Sequence, residues 1–213
     1  LLNVSVIYCS LYKTRGEWVM VEKIVIDLVD QMKEERMIDL SESDNYEYAL
    51  LTMIESFLTV TTMLVLGIIC KQFVHTICFI VVFFTLRKRT GGYHAKKFWQ
   101  CYLATVLTYF VVMKIAVPLS GNLMVMCILL GCSIIFIELI GTVNHPNVDM
   151  DIYEFRESRR AARILALLEG GIILMLMIME FDILYVSYMS IAIILCAMLM
   201  CLAKIIKQEV KVK

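Results

Sequence analysis

Two side chains capable of peptide-bond chemistry, His94 and Cys101, lie seven positions apart in a basic stretch, RKRTGGYHAKKFWQC, at 87–101. A thiolate can attack a peptide carbonyl, and an imidazole can then protonate the amine that leaves. On one continuous helix the two residues would share a face but stand about 10.5 Å apart along the axis, which is too far for direct contact. If the pair is functional, we expect the backbone to turn between them.

The surroundings of this pair suit such a reaction. Gly91 and Gly92 accept positive φ, so they can shape the approach to the histidine and are candidates for an oxyanion site. We predict that a helix begins near Phe98, which places Cys101 in its first turn, where the positive helix end favours thiolate over thiol. Two neighbouring cations act in the same direction: Lys96 and Lys97.

The residues alone also allow a simpler interpretation of the same stretch. Basic residues beside a membrane span fix its orientation, and a cysteine at the membrane edge behaves as a small hydrophobe. A metal bound by His94 and Cys101 is a weaker idea, because no third ligand lies nearby in the sequence. No C-x-x-C motif occurs among the eight cysteines. We therefore predict neither a metal nor a cofactor.

The rest of the chain is strongly apolar. Of its 213 residues, 61% are hydrophobic, against about 45–50% in a soluble domain. Repeated apolar runs of about 20 residues are typical of membrane-spanning helices. The formal net charge is zero, so the overall balance gives no support for a nucleic-acid partner.

The apolar runs predict an all-α, polytopic integral membrane protein. We expect about six transmembrane helices, two of them short for a bilayer, in a domain over 49–206. The predicted spans are 49–69, 72–86, 98–117, 123–141, 164–179 and 183–206.

An amphipathic segment precedes this domain. Over 20–48 we predict a helix and a linker, with apolar residues at helical spacing on one face and charged residues on the other. Such a helix is expected to lie on the membrane surface. Its apolar positions are Val21, Ile24, Val25, Leu28 and Met32. Residues 1–19 are predicted to be an extension of uncertain order.

Lysines and arginines predict the orientation in the membrane. They concentrate in the loop at 87–97, in a second loop at 144–163 and in the C-terminal tail at 207–213. The positive-inside rule therefore places both termini and both loops in the cytoplasm.

The motif GGYHA, with a cysteine seven residues after its histidine at the start of a span, resembles the accessory gene regulator B (AgrB) family. The resemblance extends over 20–206 through YEYALL before the first span, HPNVD after the fourth span, an arginine-rich stretch and two final spans. It implies a catalytic dyad of His94 and Cys101 in a cysteine endopeptidase of a Gram-positive cell membrane.

The resemblance also implies a substrate and a reaction. The family trims the C-terminal part of a short amphipathic precursor peptide of the AgrD type, forms a cysteine thioester, and promotes ring closure to a thiolactone or lactone signal. The partners expected are this peptide and membrane lipids, and the resemblance also allows a homodimer.

Further residues are candidates for binding the precursor. Arg87, Lys88 and Arg89, with the two lysines after His94, could engage an acidic peptide tail, although topology explains the same charges. Glu55 and Glu138 lie inside apolar spans, where ionisable groups are costly and often functional. They also suggest a rival function, a small peptide transporter without peptidase activity. A non-catalytic membrane scaffold is a third alternative.

Overall fold

The computed structural model describes residues 21, 23–39, 43–93, 98–144 and 151–207. Within these ranges the chain forms seven helices, which confirms the all-α prediction. They are α1 (23–34), α2 (Ser43–Ile69), α3 (Phe73–Thr90), α4 (Phe98–Ser120), α5 (Leu123–Ile140), α6 (Ile152–Ile178) and α7 (Ile183–Ile205).

Five of the described helices, and not six, are long and apolar enough to cross a membrane. They are α2 from Ala49 onward, α4 from Trp99 onward, α5, α6 and α7. Of the six predicted spans, the one that does not qualify is α3, because its last turn carries Arg87, Lys88 and Arg89. Its apolar part, like the predicted span at 72–86, is shorter than a bilayer usually requires.

Two boundaries correct the sequence prediction. The basic triplet is not loop, since α3 continues to Thr90. The predicted loop at 144–163 is largely helical, because α6 begins at Ile152 and carries the arginine-rich stretch in its first turns. A capping box explains this start: the Asp151 side chain accepts from backbone N–H groups, and the Glu154 carboxylate accepts the Asp151 N–H.

The chain divides into two compact units, 1–59 with 95–105, and 60–94 with 106–213. In the first unit, Val25 and Val29 of α1 are buried with Ile38 against Leu50 and Ile54 of α2. The amphipathic helix is therefore confirmed, but its apolar face is divided. Val25 and Met32 pack inward, whereas Ile24 is 58% exposed and Leu28 44%.

The second unit is built around α7. In its most apolar stretch, 61% of the residues are buried, against 11–22% in the other four candidate spans. Helices α3, α5 and α6 all contact it. Small residues on α7 permit this close approach. They are Ser187, Ser190, Ala192, Ala197 and Ala203, all buried.

Candidate active site

The Gly-Gly pair is anchored to the segment that follows α5. Gly91 has φ +63° and its N–H donates to the Arg87 carbonyl at 3.2 Å, ending α3. The Val143 N–H donates to the Thr90 carbonyl at 2.9 Å, and Gly91 and Val143 form an isolated parallel β-bridge. A Cβ on Gly91 would stand 2.5 Å from the Val143 carbonyl oxygen. Glycine is therefore required here by conformation and by space.

The next two residues are anchored to α7. Gly92 has φ +120°, and a Cβ there would lie 3.2 Å from the Leu199 carbonyl carbon and oxygen. The Tyr93 N–H donates to the Leu199 carbonyl at 3.1 Å. The backbone is thus fixed as far as the residue before His94. Both glycines adopt the positive φ that their residue type permits.

Arg87 holds this loop from inside. Its guanidinium donates to the Gly91 carbonyl and, at 2.5 Å, to the Tyr93 carbonyl. The planar fork of arginine suits two carbonyls at once. Arg87 therefore has a structural role in the loop, and its contact with the precursor stays a prediction. Lys88, which is exposed, and Arg89, which is half-buried, remain candidates for that contact.

The oxyanion role predicted for Gly91 is not supported, because its N–H already donates to Arg87 O. A hydrogen-bond donor that is committed to a helix end cannot stabilise a developing oxyanion without breaking that bond. The glycine shapes the loop instead.

Cys101 lies where the sequence predicted, in the first turn of α4, which begins at Phe98. Its side chain is half-buried and its thiol is free of any disulfide. The Thr105 hydroxyl donates to the Cys101 carbonyl at 2.8 Å, which ties the first turn to the second. The other predicted residues of this region, His94, Lys96 and Lys97, lie outside the described residues.

The two candidate glutamates occupy different helices. Glu55 is half-buried in α2 of the first unit, and Glu138 is half-buried in α5 of the second. One Glu138 carboxyl oxygen, Oε1, is buried, and within the described part of the chain it has no hydrogen-bond partner. The position of Glu138 within an apolar helix is confirmed, and its part in substrate binding stays a prediction.

A third intramembrane glutamate, Glu169 of α6, was missed by the sequence interpretation. The Thr85 hydroxyl oxygen of α3 lies within hydrogen-bond distance of Glu169 Oε1, at 2.6 Å. The signal was available, since Glu169 interrupts the apolar run ILALLEGG in the same way as Glu55 and Glu138 interrupt theirs.

Basic residues gather at one end of the second unit. The loop after α3 meets Val143 and Leu199, while Gly141, after α5, packs against Arg159 of α6. Arg163 donates to the Leu139 carbonyl at 3.4 Å. Arginine side chains at the negative end of α5 are favourable. The end that holds the Gly-Gly loop is therefore the basic end of this unit.

Among the described residues, no three His, Cys, Asp or Glu side chains lie close enough together to hold a metal ion.

The helices and the anchored loop define an all-α, multi-pass membrane protein with a cysteine, outside any disulfide, at the start of a helix. In a comparison with protein-family models, the model of accessory gene regulator B (AgrB) matches residues 25–204. The chain therefore belongs to that family. Membership implies a part in processing the quorum-sensing peptide of an accessory gene regulator system. No curated protein and no solved structure matched the chain.

Proposed function

We propose that the protein is a membrane-embedded cysteine endopeptidase that cleaves a short precursor peptide and promotes its cyclisation. Cys101 is the nucleophile and His94 the general base and acid. The observation that carries the proposal is the place of Cys101 in the first turn of α4, in a chain of the AgrB family. A helix N-terminus favours the thiolate that this chemistry requires.

The reaction proceeds in two transfers. The Cys101 sulfur attacks the carbonyl carbon of the scissile bond, the C–N bond breaks, and the imidazolium of His94 protonates the departing amine. A thiol or hydroxyl of the precursor, deprotonated by His94, then attacks the thioester. The new ring bond forms as the C–S bond breaks, and the Cys101 thiolate is released. Exchange of one thioester for another changes the free energy little, so exclusion of water decides the yield.

The anchored loop supports the approach of His94. Three hydrogen bonds from Arg87 and Tyr93 restrain residues 91–93, and neither glycine position has room for a side chain. Catalytic groups act efficiently only when neighbouring structure limits their motion. Arg87 is accordingly a positioning residue for His94 in this proposal.

The proposed location of the reaction is the cytoplasmic face of a cell membrane in a Gram-positive bacterium. The support is the basic end of the second unit, where the loop after α3 lies together with Arg159 and Arg163. Positive residues favour the cytoplasmic side. An amphipathic precursor lying on the inner leaflet would reach this face directly.

Co-expression with a tagged cognate precursor tests the proposal. We expect cleavage by the wild type and by Cys132→Ser, a matched control at an exposed cysteine of α5. Cys101→Ser and His94→Ala should not cleave. A precursor adduct that hydroxylamine releases should form on the wild type and be missing from Cys101→Ser.

Equal processing by all four proteins would contradict the peptidase proposal. The same holds if none cleaves a precursor whose cyclic product is made by the native host. Either result would favour the rival function, a small peptide transporter whose intramembrane glutamates line the path.

A further inference from the structure

The contact between Thr85 and Glu169 joins α3 to α6 inside the membrane domain. The Thr85 hydroxyl oxygen lies 2.6 Å from Glu169 Oε1 and 2.6 Å from the Val81 carbonyl oxygen of its own helix. A third oxygen, that of Val82, is 3.2 Å away. All of these residues belong to the second unit.

The number of protons at this contact determines the state of the carboxyl group. A threonine hydroxyl has one proton to donate. If that proton points to Val81 O, the 2.6 Å approach of Glu169 Oε1 needs a second proton between the two oxygens. If it points to Glu169, the Thr85 hydroxyl oxygen and the Val81 carbonyl oxygen face each other at 2.6 Å with no proton between them. A proton on the Glu169 carboxyl satisfies both contacts at once.

The surroundings agree with an uncharged side chain. The second carboxyl oxygen, Oε2, is buried and has no hydrogen-bond partner among the residues that the structure describes. An ionised carboxylate with a bare buried oxygen inside a membrane helix is costly, whereas a neutral acid is much less so. The buried Cys196 thiol of α7 interacts electrostatically with Glu169, and also with Arg87 of α3.

Thr85 lies near the C-terminal end of α3, shortly before the loop that contains Gly91 and Gly92 begins. It lies two residues before Arg87, whose guanidinium holds the carbonyls of Gly91 and Tyr93. A contact that fixes the rotation of α3 at Thr85 therefore also fixes the point from which the Arg87 side chain leaves the helix, because the two residues share one helical turn.

We propose that Glu169 is a positioning residue, held as a neutral carboxylic acid, that fixes α3 through Thr85 and so aligns the loop before His94. Its effect on cleavage rests on the proposed function. The protonation state and the restraint on α3 do not, so they are measured separately.

The first experiment measures the protonation state in the full-length protein. Dicyclohexylcarbodiimide reacts with protonated carboxyl groups in apolar surroundings, and peptide mass mapping identifies the labelled residue. In native vesicles at neutral pH we expect label on Glu169 and its loss in Glu169→Gln. Absence of label on Glu169 overturns the proposal, provided that an acidified, detergent-denatured aliquot takes label there.

The second experiment measures the restraint on α3 through trypsin cleavage after Arg89 in vesicles with an accessible basic face. Gln is nearly isosteric with a neutral Glu and can donate to Thr85, whereas Ala cannot. We expect Glu169→Ala to accelerate this cleavage by about tenfold, and Glu169→Gln to leave it within about threefold of the wild type. Equal acceleration by both variants overturns the neutral-acid proposal.

The third experiment measures precursor cleavage by the same variants. A misplaced catalytic group costs much activity, so we expect a loss of about tenfold or more in Glu169→Ala and retention of at least about a third in Glu169→Gln. Glu180→Gln, at an exposed position just after α6, is the matched control and should behave as the wild type. An active Glu169→Ala overturns the positioning role. If wild type itself fails to cleave, the peptidase proposal fails, while labelling and proteolysis still decide the state of Glu169.

Discussion

Replacement of Gly91 by alanine tests how tightly the loop before His94 is built. Gly91 has φ +63° and ψ −142°, a conformation that residues with a Cβ rarely adopt. The added methyl group would stand 2.5 Å from the Val143 carbonyl oxygen, a backbone atom that cannot move aside without breaking the bridge to α3.

The magnitude follows from these two effects. Backbone strain of this kind costs about 1–3 kcal/mol. Loss of the hydrogen bond from the Val143 N–H to the Thr90 carbonyl adds about 1 kcal/mol. A total near 3 kcal/mol favours the undocked loop, so cleavage of the precursor should fall by about a hundredfold.

The assay is the initial rate of precursor cleavage in vesicles, with trypsin sensitivity after Arg89 as a readout that does not require peptidase activity. Gly171→Ala is the matched control. Gly171 lies in α6, and a Cβ there would meet no heavy atom within 4 Å. Because alanine is favoured over glycine in helices by about 1 kcal/mol, this control should retain full activity.

A Gly91→Ala protein that cleaves within about threefold of the wild-type rate would refute the reasoning, because the backbone strain alone predicts a larger loss of cleavage rate. A loss of the same size in Gly171→Ala would also refute it, since the effect would then not come from the loop.

Three further predictions concern single side chains. Arg87→Lys should reduce cleavage by about tenfold, because an ammonium cannot hold the carbonyls of Gly91 and Tyr93 in one plane, and unchanged cleavage would remove Arg87 from the loop's support. Asp151→Ala should lower the free energy of unfolding in mixed micelles by about 1 kcal/mol through loss of the α6 cap, and a value equal to the wild type would contradict that role. Ser187→Ala removes a buried hydrogen bond to the Ala116 carbonyl, so it should lower the free energy of unfolding by about 0.6 kcal/mol and leave cleavage unchanged. A free energy of unfolding at or above that of the wild type would show that this hydrogen bond contributes nothing.

The positions of the helices could be predicted well from the sequence, because long apolar runs have few alternatives. The start of α4 at Phe98, and hence the place of Cys101, agreed with the structure. Failures occurred where charged residues continue a helix beyond the apolar run. Thus α3 extends through its basic triplet to Thr90, and α6 begins at Ile152 among charged residues.

The candidate site could be predicted only in part. The residue type indicated that Gly91 and Gly92 can accept positive φ, and both adopt it in the structure. The partners that make these glycines necessary, Val143 and Leu199, are distant in sequence, and no local pattern points to them. The structural role of Arg87 was missed for the same reason, since its carbonyl acceptors become apparent only when the loop is folded.

The hydrogen bond from Tyr93 to Leu199 has a consequence for the order of biosynthesis. The ribosome makes the loop early, but the α7 backbone that holds it emerges only after α4, α5 and α6 have entered the bilayer. A chain interrupted before α7 therefore has its histidine and cysteine but lacks the carbonyl that fixes the loop. Synthesis of α7 becomes the step that completes the site, so unfinished chains should process no precursor.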